Sequence, residues 1–197
     1  MIKIAITGSI GMGKTTISNM LKSIDIPVYN SDETVKNILL KDEIVKNKII
    51  NTWPKVVNSK NRSIDKKKLR KIIFFDKEEK KKLENILHPL VEKKKKIFIN
   101  QNKRKKILAF DIPLLYETNQ QNKYDYIFLA ICKFSTQKKR VLRRKGMNKT
   151  IFKKINESQI GVKEKIYMKP IIINTERLKI LTYFYIMIII LYIKLIN

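Results

Sequence analysis

The chain has 197 residues with 44 Lys and Arg, 17 Asp and Glu and one His, which gives a formal net charge of +27. Its apolar content of 44% excludes an intrinsically disordered basic tail, and its length suits one domain with a small inserted subdomain. The single cysteine, Cys132, excludes a disulfide framework and predicts a reducing, cytoplasmic location. We expect no secretory signal, because the apolar stretch from Met1 to Ile6 is short and leads directly into a glycine-rich turn.

The positive charge comes mainly from lysine, since 37 of the 44 basic residues are Lys and 7 are Arg. Arg is better suited than Lys to bidentate recognition of phosphates and bases, so its scarcity argues against a dedicated nucleic-acid surface. A bias toward AT-rich codons also explains an excess of Lys, Ile and Asn. We therefore expect a solvated, Lys-coated surface and no specific nucleic-acid partner, with nonspecific polyanion binding at low salt.

Five short apolar runs are predicted to form strands, at residues 2–6, 27–29, 107–110, 126–131 and 171–173. Helical patterns separate them: one helix starts near Thr15, residues 33–100 are mostly helical, and residues 137–159 contain two helices around Gly146. Cys132 is predicted to be a small core residue of the fourth strand. Strands that alternate with helices predict an α/β fold with a doubly wound, five-stranded parallel sheet.

The last segment, residues 176–197, is strongly apolar. Its central run, Ile180 to Ile193, has no charged residue and lies between Lys179 and Lys194. A membrane-spanning helix needs about 20 apolar residues, and this shorter run also contains three Tyr and one Thr. We expect a packed terminal helix and no membrane partner. A membrane-associated tail and an eroded reading frame are the alternatives.

Residues Gly8-Ser9-Ile10-Gly11-Met12-Gly13-Lys14-Thr15 match the pattern Gly-x-x-x-x-Gly-Lys-Ser/Thr between a predicted strand and a predicted helix. Glycines allow backbone N–H groups to surround phosphate oxygens, and the following helix directs its positive end at the anion. Lys14 is predicted to reach the β- and γ-phosphates, and the Thr15 hydroxyl to ligate Mg²⁺. The pattern therefore predicts a nucleoside triphosphate site.

Candidate catalytic residues follow the other strands, because ligands of open α/β sheets bind beyond the carboxyl ends of the strands. Asp32 and Asp111 come directly after the second and third strands, where a carboxylate can accept a hydroxyl proton or help to hold Mg²⁺. Ser31 or Asp32 also fits the N-cap of the next helix, so both interpretations stay open. Arg140 and Arg144, spaced four residues apart, are predicted to share one helix face and to close over the triphosphate. Ordinary surface charge is the alternative.

With these motifs in order, residues 1–175 resemble the dephospho-CoA kinase family. The Leu-His-Pro and Ile-Pro-Leu-Leu-x-Glu elements are the most specific. The matching motifs are Gly8–Thr16, Val28 to Glu33, Lys68-Leu69-Arg70 with Ile73-Phe74, Ile86 to Leu90, Ile112 to Glu117, Gln137 with Lys139-Arg140 and Arg144, and Gln159 with Glu164-Lys165. The resemblance implies ATP-dependent phosphorylation of the ribose 3′-hydroxyl of dephospho-CoA, the last step of coenzyme A synthesis. Its substrates would be ATP and dephospho-CoA.

The resemblance also implies a P-loop kinase fold with a helical acceptor subdomain within 33–100 and a lid at about 137–159. It implies Asp32 as the catalytic carboxylate and Arg70 and His88 as acceptor contacts. The P-loop pattern and the strand ends predict Mg²⁺ held by Thr15 and, through water, by Asp111. The ATP-binding residues would be Gly8, Gly11, Met12, Gly13, Lys14, Thr15 and Thr16. A structural role for His88, closing a helix and bonding a backbone carbonyl, is the alternative.

Three parts of the chain depart from the family pattern. Asn30 stands where the family usually has the first aspartate, and Lys169-Pro170 replaces an Ala-Asp pair. Met12 replaces a common Ser, which is harmless if that position contributes through its backbone. Asn30 and the unusual C-terminal segment motivate the hypothesis of a decayed inactive kinase. Another P-loop nucleoside or nucleotide kinase and a basic ATP-switched module that binds nucleic acid or membrane are the other rival hypotheses. The oligomeric state is not indicated.

Overall fold

A computed structural model of the protein describes residues 1–58 and 63–197, apart from the side chains of Lys66, Phe74 and Phe75. Phe74, which belongs to one of the family motifs, therefore lies outside the described side chains. The strands are β1 Ile2–Thr7, β2 Val28–Asn30, β3 Ile107–Asp111, β4 Tyr126–Ile131 and β5 Ile171–Asn174. The helices are α1 Lys14–Ser23, α2 Ser31–Lys41, α3 Glu43–Thr52, α4 Lys66–Phe75, α5 Lys77–Gln101, α6 Phe134–Leu142, α7 Lys149–Glu157, α8 Val162–Tyr167 and α9 Lys179–Ile196. Short 3₁₀ turns occupy Pro54–Val56 and Gln121–Lys123.

The five strands form one sheet in the order β2-β3-β1-β4-β5, with β1 parallel to β3 and β4, and β4 parallel to β5. Ile4 of β1 lies beside Ala109 on one side and Tyr126 on the other. A strand that is covered on both faces buries its side chains on both sides, so its sequence is a nearly continuous apolar run. Every residue of β3 is buried in this way. The predicted five-stranded parallel α/β sheet is confirmed.

The chain divides into two compact units. The sheet unit comprises Met1–Tyr29 and Asn102–Asn197, and the helical unit comprises Asn30–Gln101. Apolar side chains of the sheet and of α1 form the core of the sheet unit, which α9 joins through Ile186, Ile190 and Ile193. Since α9 packs on this core with one face, the prediction of a packed terminal helix is correct for that face.

The helical unit has its own core, built from residues of α2 to α5, such as Ile38, Ile49 and Leu87, and from the segment between α3 and α4, such as Trp53. Helix α5 runs for 25 residues and continues through Pro89. The expectation that His88 closes a helix is therefore wrong. Proline removes one hydrogen bond from a helix interior, but the helix-forming residues around Pro89 and the packing of Leu87 carry the helix past it.

Two further sequence expectations need correction. Helix α6 ends at Leu142, so Arg143 and Arg144 lie beyond it, and Arg144 does not share a helix face with Arg140. The chain turns here through Gly146, whose φ of +79° lies in the left-handed region that glycine tolerates best. Cys132 is not inside β4 but follows its last residue, and it is only partly buried against the core.

Candidate active site

The loop between β1 and α1, which we call the P-loop (residues 8–16), packs closely on two neighbouring segments. Gly11 and Gly13 have φ values of +79° and +95°. A Cβ atom on Gly13 would lie 2.6 Å from the hydroxyl oxygen of Thr175, and one on Gly11 would lie 2.6 Å from a methyl carbon of Val141. Both the backbone conformation and the available space therefore require glycine at these two positions.

Lys14 is the first residue of α1, and its ammonium group turns back toward the P-loop. Its Nζ donates hydrogen bonds to the carbonyl oxygens of Gly8 and Ser9, at 2.6 and 3.3 Å. The first turn of α1 contains no acidic residue, and its cap residue, Gly13, makes no side-chain capping hydrogen bond. The start of α1, with its positive dipole end and the Lys14 ammonium beside it, is suited to bind a phosphate group.

Two glutamine side chains hold the tip of the P-loop from opposite sides. Gln159 accepts a hydrogen bond from the backbone N–H of Ile10 at 3.1 Å, and Gln137 donates to the carbonyl oxygen of Ile10 at 2.8 Å. The Gln137 side chain is buried, and its amide group also contacts Asn156 at 3.3 Å. Because both polar groups of Ile10 are bonded, the loop tip is fixed before any ligand arrives.

Arg140 and Thr175 form a second brace on the same loop. The Arg140 guanidinium donates to the hydroxyl and carbonyl oxygens of Thr175, at 3.0 and 2.9 Å. The Thr175 hydroxyl in turn donates to the carbonyl oxygen of Met12 at 2.7 Å. Arg140 is therefore partly buried against the P-loop, whereas Arg144 is exposed beyond α6.

A buried ion pair supports the segment that carries Gln159. The Lys165 ammonium lies 2.8 Å from Oε1 of Glu117, and the two side chains are 0% and 12% exposed. The same oxygen accepts a hydrogen bond from the backbone N–H of Ile160 at 3.0 Å. Glu117 thus joins α8 to the residue that follows Gln159. A buried pair of this kind fixes geometry, because either charge left alone would be strongly destabilising.

Asp111 is the last residue of β3. In the sheet it lies beside Ile6 of β1, and Ile6 is two residues before the start of the P-loop. It is 3% exposed, and its Oδ2 accepts a hydrogen bond from the Ser18 hydroxyl of α1 at 3.2 Å. Mg²⁺ prefers oxygen ligands and keeps several waters, so the Asp111 carboxylate and the Thr15 hydroxyl suit it when phosphate oxygens complete the coordination. The described residues contain no cluster of three or more His, Cys, Asp or Glu side chains able to hold a metal ion by themselves.

A cavity of about 250 Å³ adjoins the P-loop. Ser9, Met12, Cys132, Phe134 and Gln137 belong to its walls. The Cys132 sulfur lies 3.5 Å from the Met12 sulfur, and burial raises the pKa of its thiol while the charge of Arg140 opposes that shift. The thiol is therefore protonated at neutral pH and is no better a nucleophile than an ordinary cysteine.

In the helical unit, Asn30 is the residue that caps α2. Its side-chain oxygen accepts a hydrogen bond from the Glu33 N–H at 2.8 Å, and its carbonyl oxygen accepts one from the Thr34 hydroxyl at 2.9 Å. The suggestion that Ser31 or Asp32 serves as the N-cap is therefore wrong. Asp32 occupies the first turn of α2 as an exposed carboxylate, at the positive end of the helix dipole.

The two predicted acceptor contacts also lie on exposed helix surfaces of the helical unit. Arg70 belongs to α4 and His88 to α5.

The residue that sequence reasoning missed is Thr175, the first residue after β5. Its position at the carboxyl end of a parallel strand was the available signal, because ligands collect at that edge of such sheets.

Comparison with known proteins gives one family. A family model described as dephospho-CoA kinase matches residues 2–179. A dephospho-CoA kinase of Bartonella quintana is 38% identical over 174 residues, covering 87% of this chain and 88% of that protein. One from Fusobacterium nucleatum is 35% identical over 171 residues, with coverages of 87% and 88%.

Solved structures agree at the level of the fold. The structure of TT1252 from Thermus thermophilus superposes with a TM-score of 0.83 at 23% identity, and it covers 97% of this chain and 96% of its own. A dephospho-CoA kinase from Campylobacter jejuni gives a TM-score of 0.64 at 24% identity, with the same coverages. A shikimate kinase from Bacteroides thetaiotaomicron gives 0.52 at 11% identity, covering 96% and 98%. These likenesses show that the arrangement of the sheet and its helices is shared with these structures.

Proposed function

The chain belongs to the dephospho-CoA kinase family, and we propose that it transfers the γ-phosphoryl group of ATP to the ribose 3′-hydroxyl of dephospho-CoA. The products are coenzyme A and ADP, so the reaction is the final step of coenzyme A synthesis. The enzyme is a kinase, and ATP is the co-substrate that such a family implies. We propose a cytoplasmic enzyme with no specific nucleic-acid partner, in line with its lone cysteine and its few arginines.

One observation carries the proposal: the P-loop is braced by side chains from motifs of this family. Gln137, Gln159 and Arg140 all contact the P-loop or its neighbour Thr175. A generic nucleotide-binding loop does not require these partners, whereas a kinase that must hold its triphosphate still gains from a fixed loop. Preorganised donors act where charge develops and cost no rearrangement during transfer.

On the ATP side, the backbone N–H groups of residues 8–16 bind the phosphates, with Thr16 in the first turn of α1. Lys14 leaves the carbonyls of Gly8 and Ser9 to bind β- and γ-oxygens as a point charge. Arg140, which already contacts the Gly11 carbonyl oxygen and Thr175, neutralises charge that develops on the transferring group, and Arg144 assists from the lid segment 137–159. Mg²⁺, held by Thr15 and through water by Asp111, would supply further charge neutralisation.

On the acceptor side, we assign the helical region 33–100 to dephospho-CoA. Asp32 accepts the proton of the acceptor 3′-hydroxyl while the oxygen of that hydroxyl forms the new bond to the γ-phosphorus of ATP. The bond between the γ-phosphorus and the β–γ bridging oxygen breaks at the same time, and ADP is released. Arg70 and His88 contact anionic groups of the acceptor. An exposed carboxylate and two exposed nitrogen donors on helices are suited to a large substrate that enters from solvent.

Asn30 bears directly on the rival hypothesis of a decayed kinase. Asn and Asp are about equally good N-caps, so the Asn side chain preserves the start of α2. The structural function of this position is therefore retained although the negative charge is not. This observation favours an intact enzyme in which Asp32 alone acts as the base.

The test uses the purified full chain with ATP, Mg²⁺ and dephospho-CoA, and product masses are measured. We expect a product one phosphoryl group heavier than dephospho-CoA, together with ADP. Parallel reactions with AMP, adenosine and shikimate test the rival kinases, and each should be at least about 10²-fold slower, because an acceptor site rejects ligands that leave its polar groups unpaired. Faster transfer to a nucleoside monophosphate would identify a nucleotide kinase, and a folded protein without transfer would indicate a decayed one.

A further inference from the structure

Helix α9 presents apolar side chains on two opposite sides. The inner face consists of Thr182, Ile186, Ile190 and Ile193, whose spacing of four, four and three residues forms one stripe packed on the sheet unit. The outer face consists of Ile180, Leu181, Phe184, Tyr185, Ile188, Leu191, Tyr192, Leu195 and Ile196, each at least 40% exposed. These nine are almost half of the nineteen large apolar residues that are exposed in the described part of the chain.

An apolar surface of this kind is unusual for a soluble helix. Lys179 and Lys194 are the only charged residues of α9, and neither belongs to the outer face. Large contiguous apolar patches on a folded domain mark protein or membrane contacts, because water otherwise covers them at a free-energy cost. The outer face therefore calls for an occupant that is itself apolar.

Contacts with the sheet unit fix how α9 can meet such an occupant. By length and composition α9 can cross a membrane, with 18 residues and a mean hydropathy of 2.0. Crossing would uncover the core that Ile186, Ile190 and Ile193 complete, and it would break the contacts of Thr182 with Asn174 and of Asn197 with Tyr126. In the native fold, α9 can therefore only lie parallel to a membrane surface.

Charge decides between a lipid surface and a second copy of the chain. The protein carries a formal charge of +27; Arg177 and Lys179 lie at the start of α9 and Lys194 near its end, with no acidic residue after Glu176. Pairing two outer faces would bring two strongly positive molecules together, and their charges would repel. An anionic bilayer instead attracts the protein, and each basic side chain of the protein near the surface strengthens binding. Tyr185 and Tyr192 add amphipathic rings of the type that favours the membrane–water interface.

We propose that the outer face of α9 docks this protein in plane onto anionic phospholipid membranes. The proposal changes the expectation of no membrane partner, and it does not rest on the kinase reaction. The apolar face enters the headgroup region while the basic side chains at the two ends of α9 remain at the anionic surface. The protein thus binds as a peripheral membrane protein with its fold intact.

The experiment measures co-sedimentation of the full chain with vesicles of phosphatidylglycerol and phosphatidylcholine (3:7) or of phosphatidylcholine alone. We expect a partition coefficient at least about tenfold higher on the anionic vesicles, falling at high salt but not to zero. The variant Ile188→Gln/Leu191→Gln keeps the charge and should lose about tenfold or more of the binding. A matched variant, Leu40→Gln/Ile44→Gln, changes two exposed apolar residues of the helical unit and should bind like wild type.

Light scattering and the kinase assay complete the test. We expect a monomer in solution, unchanged phosphoryl transfer in Ile188→Gln/Leu191→Gln, and thermal melts of both double variants close to that of wild type, which shows that folding is preserved. A dimer that Ile188→Gln/Leu191→Gln dissociates would overturn the proposal in favour of self-association. Equal binding of the two double variants would also overturn it, because attraction would then come from charge alone. Wild-type protein that transfers the phosphoryl group but does not bind anionic vesicles would overturn this proposal and leave the proposed function intact.

Discussion

The sheet unit and the helical unit hold their predicted site residues in different ways. In the sheet unit, Gln137, Lys165 and Asp111 are almost completely buried. Each has a polar partner: the carbonyl oxygen of Ile10, the carboxylate of Glu117 and the hydroxyl of Ser18, respectively. In the helical unit, Asp32, Arg70 and His88 are exposed on helices whose packing is provided by other residues.

This difference teaches which properties each unit can change independently. Substitutions in the network around the P-loop should alter stability and ATP binding together, because the same contacts serve both. Substitutions of the exposed residues in the helical unit should alter the reaction of the acceptor and leave the fold intact.

The largest effect is expected for Asp32→Asn. The side-chain volume stays nearly the same, and Asn30 rather than Asp32 caps α2, so the melting temperature should barely change. Loss of a general base should lower kcat by about 10²–10⁴-fold while the KM for ATP stays constant. Thermal melts and steady-state rates measure both. A destabilised variant with normal turnover would make Asp32 a structural residue, with Asp111 the next candidate base.

Lys165→Met should have the largest effect on stability. Removing the ammonium leaves the Glu117 carboxylate buried without its partner, which typically costs about 3–5 kcal/mol. Denaturant unfolding measures the loss, and the KM for ATP should rise because Gln159 loses its support. The control is Lys153→Met, which breaks an exposed pair with Glu157 and should cost at most about 1 kcal/mol. Equal losses would mean that the buried pair has no special role.

Lys14→Ala should separate catalysis from folding within the sheet unit. Its hydrogen bonds to Gly8 and Ser9 are made by the end of a long, flexible side chain, so their loss should change stability little. Turnover should fall by about 10²-fold or more, because the point charge on the β- and γ-oxygens is lost. The kinase assay and a thermal melt measure the two effects. Near-normal turnover in the folded variant would contradict the assignment of the P-loop.

Arg140→Ala and Arg144→Ala should differ from one another. Arg140 contacts Thr175 and lies beside the P-loop, so we expect a fall in kcat of about 10- to 100-fold together with a modest loss of stability. This is less than the ~10³–10⁵-fold effect of a fully engaged arginine, because part of its interaction is structural. Arg144→Ala should leave stability unchanged. An unchanged rate in the double variant would make both arginines surface charges.

Local patterns account for what the sequence predicted well. Buried parallel strands need continuous apolar runs, and the glycine-rich Gly-Lys-Thr pattern after β1 is highly specific for phosphate-binding loops, so the sheet and the P-loop were both predictable. Contacts between distant segments were not. Nothing near Thr175 indicates that it bonds Met12, and the spacing of Arg140 and Arg144 does not reveal that α6 stops at Leu142. Tertiary packing likewise carries α5 through Pro89.

The smallest effect is expected at Asn30, and it tests whether the helical unit is intact. Asn30→Ala removes the side-chain acceptor for the Glu33 N–H and should cost about 1 kcal/mol, measured by denaturant unfolding. Asn30→Asp keeps that acceptor and restores the residue usual in the family, so stability should stay within about 0.5 kcal/mol of wild type. Since Asp32 is proposed as the base, Asn30→Asp should change kcat by no more than a few-fold. A rise of about 10²-fold would show instead that the native Asn30 has impaired this kinase, and that a second carboxylate beside Asp32 is needed for full activity.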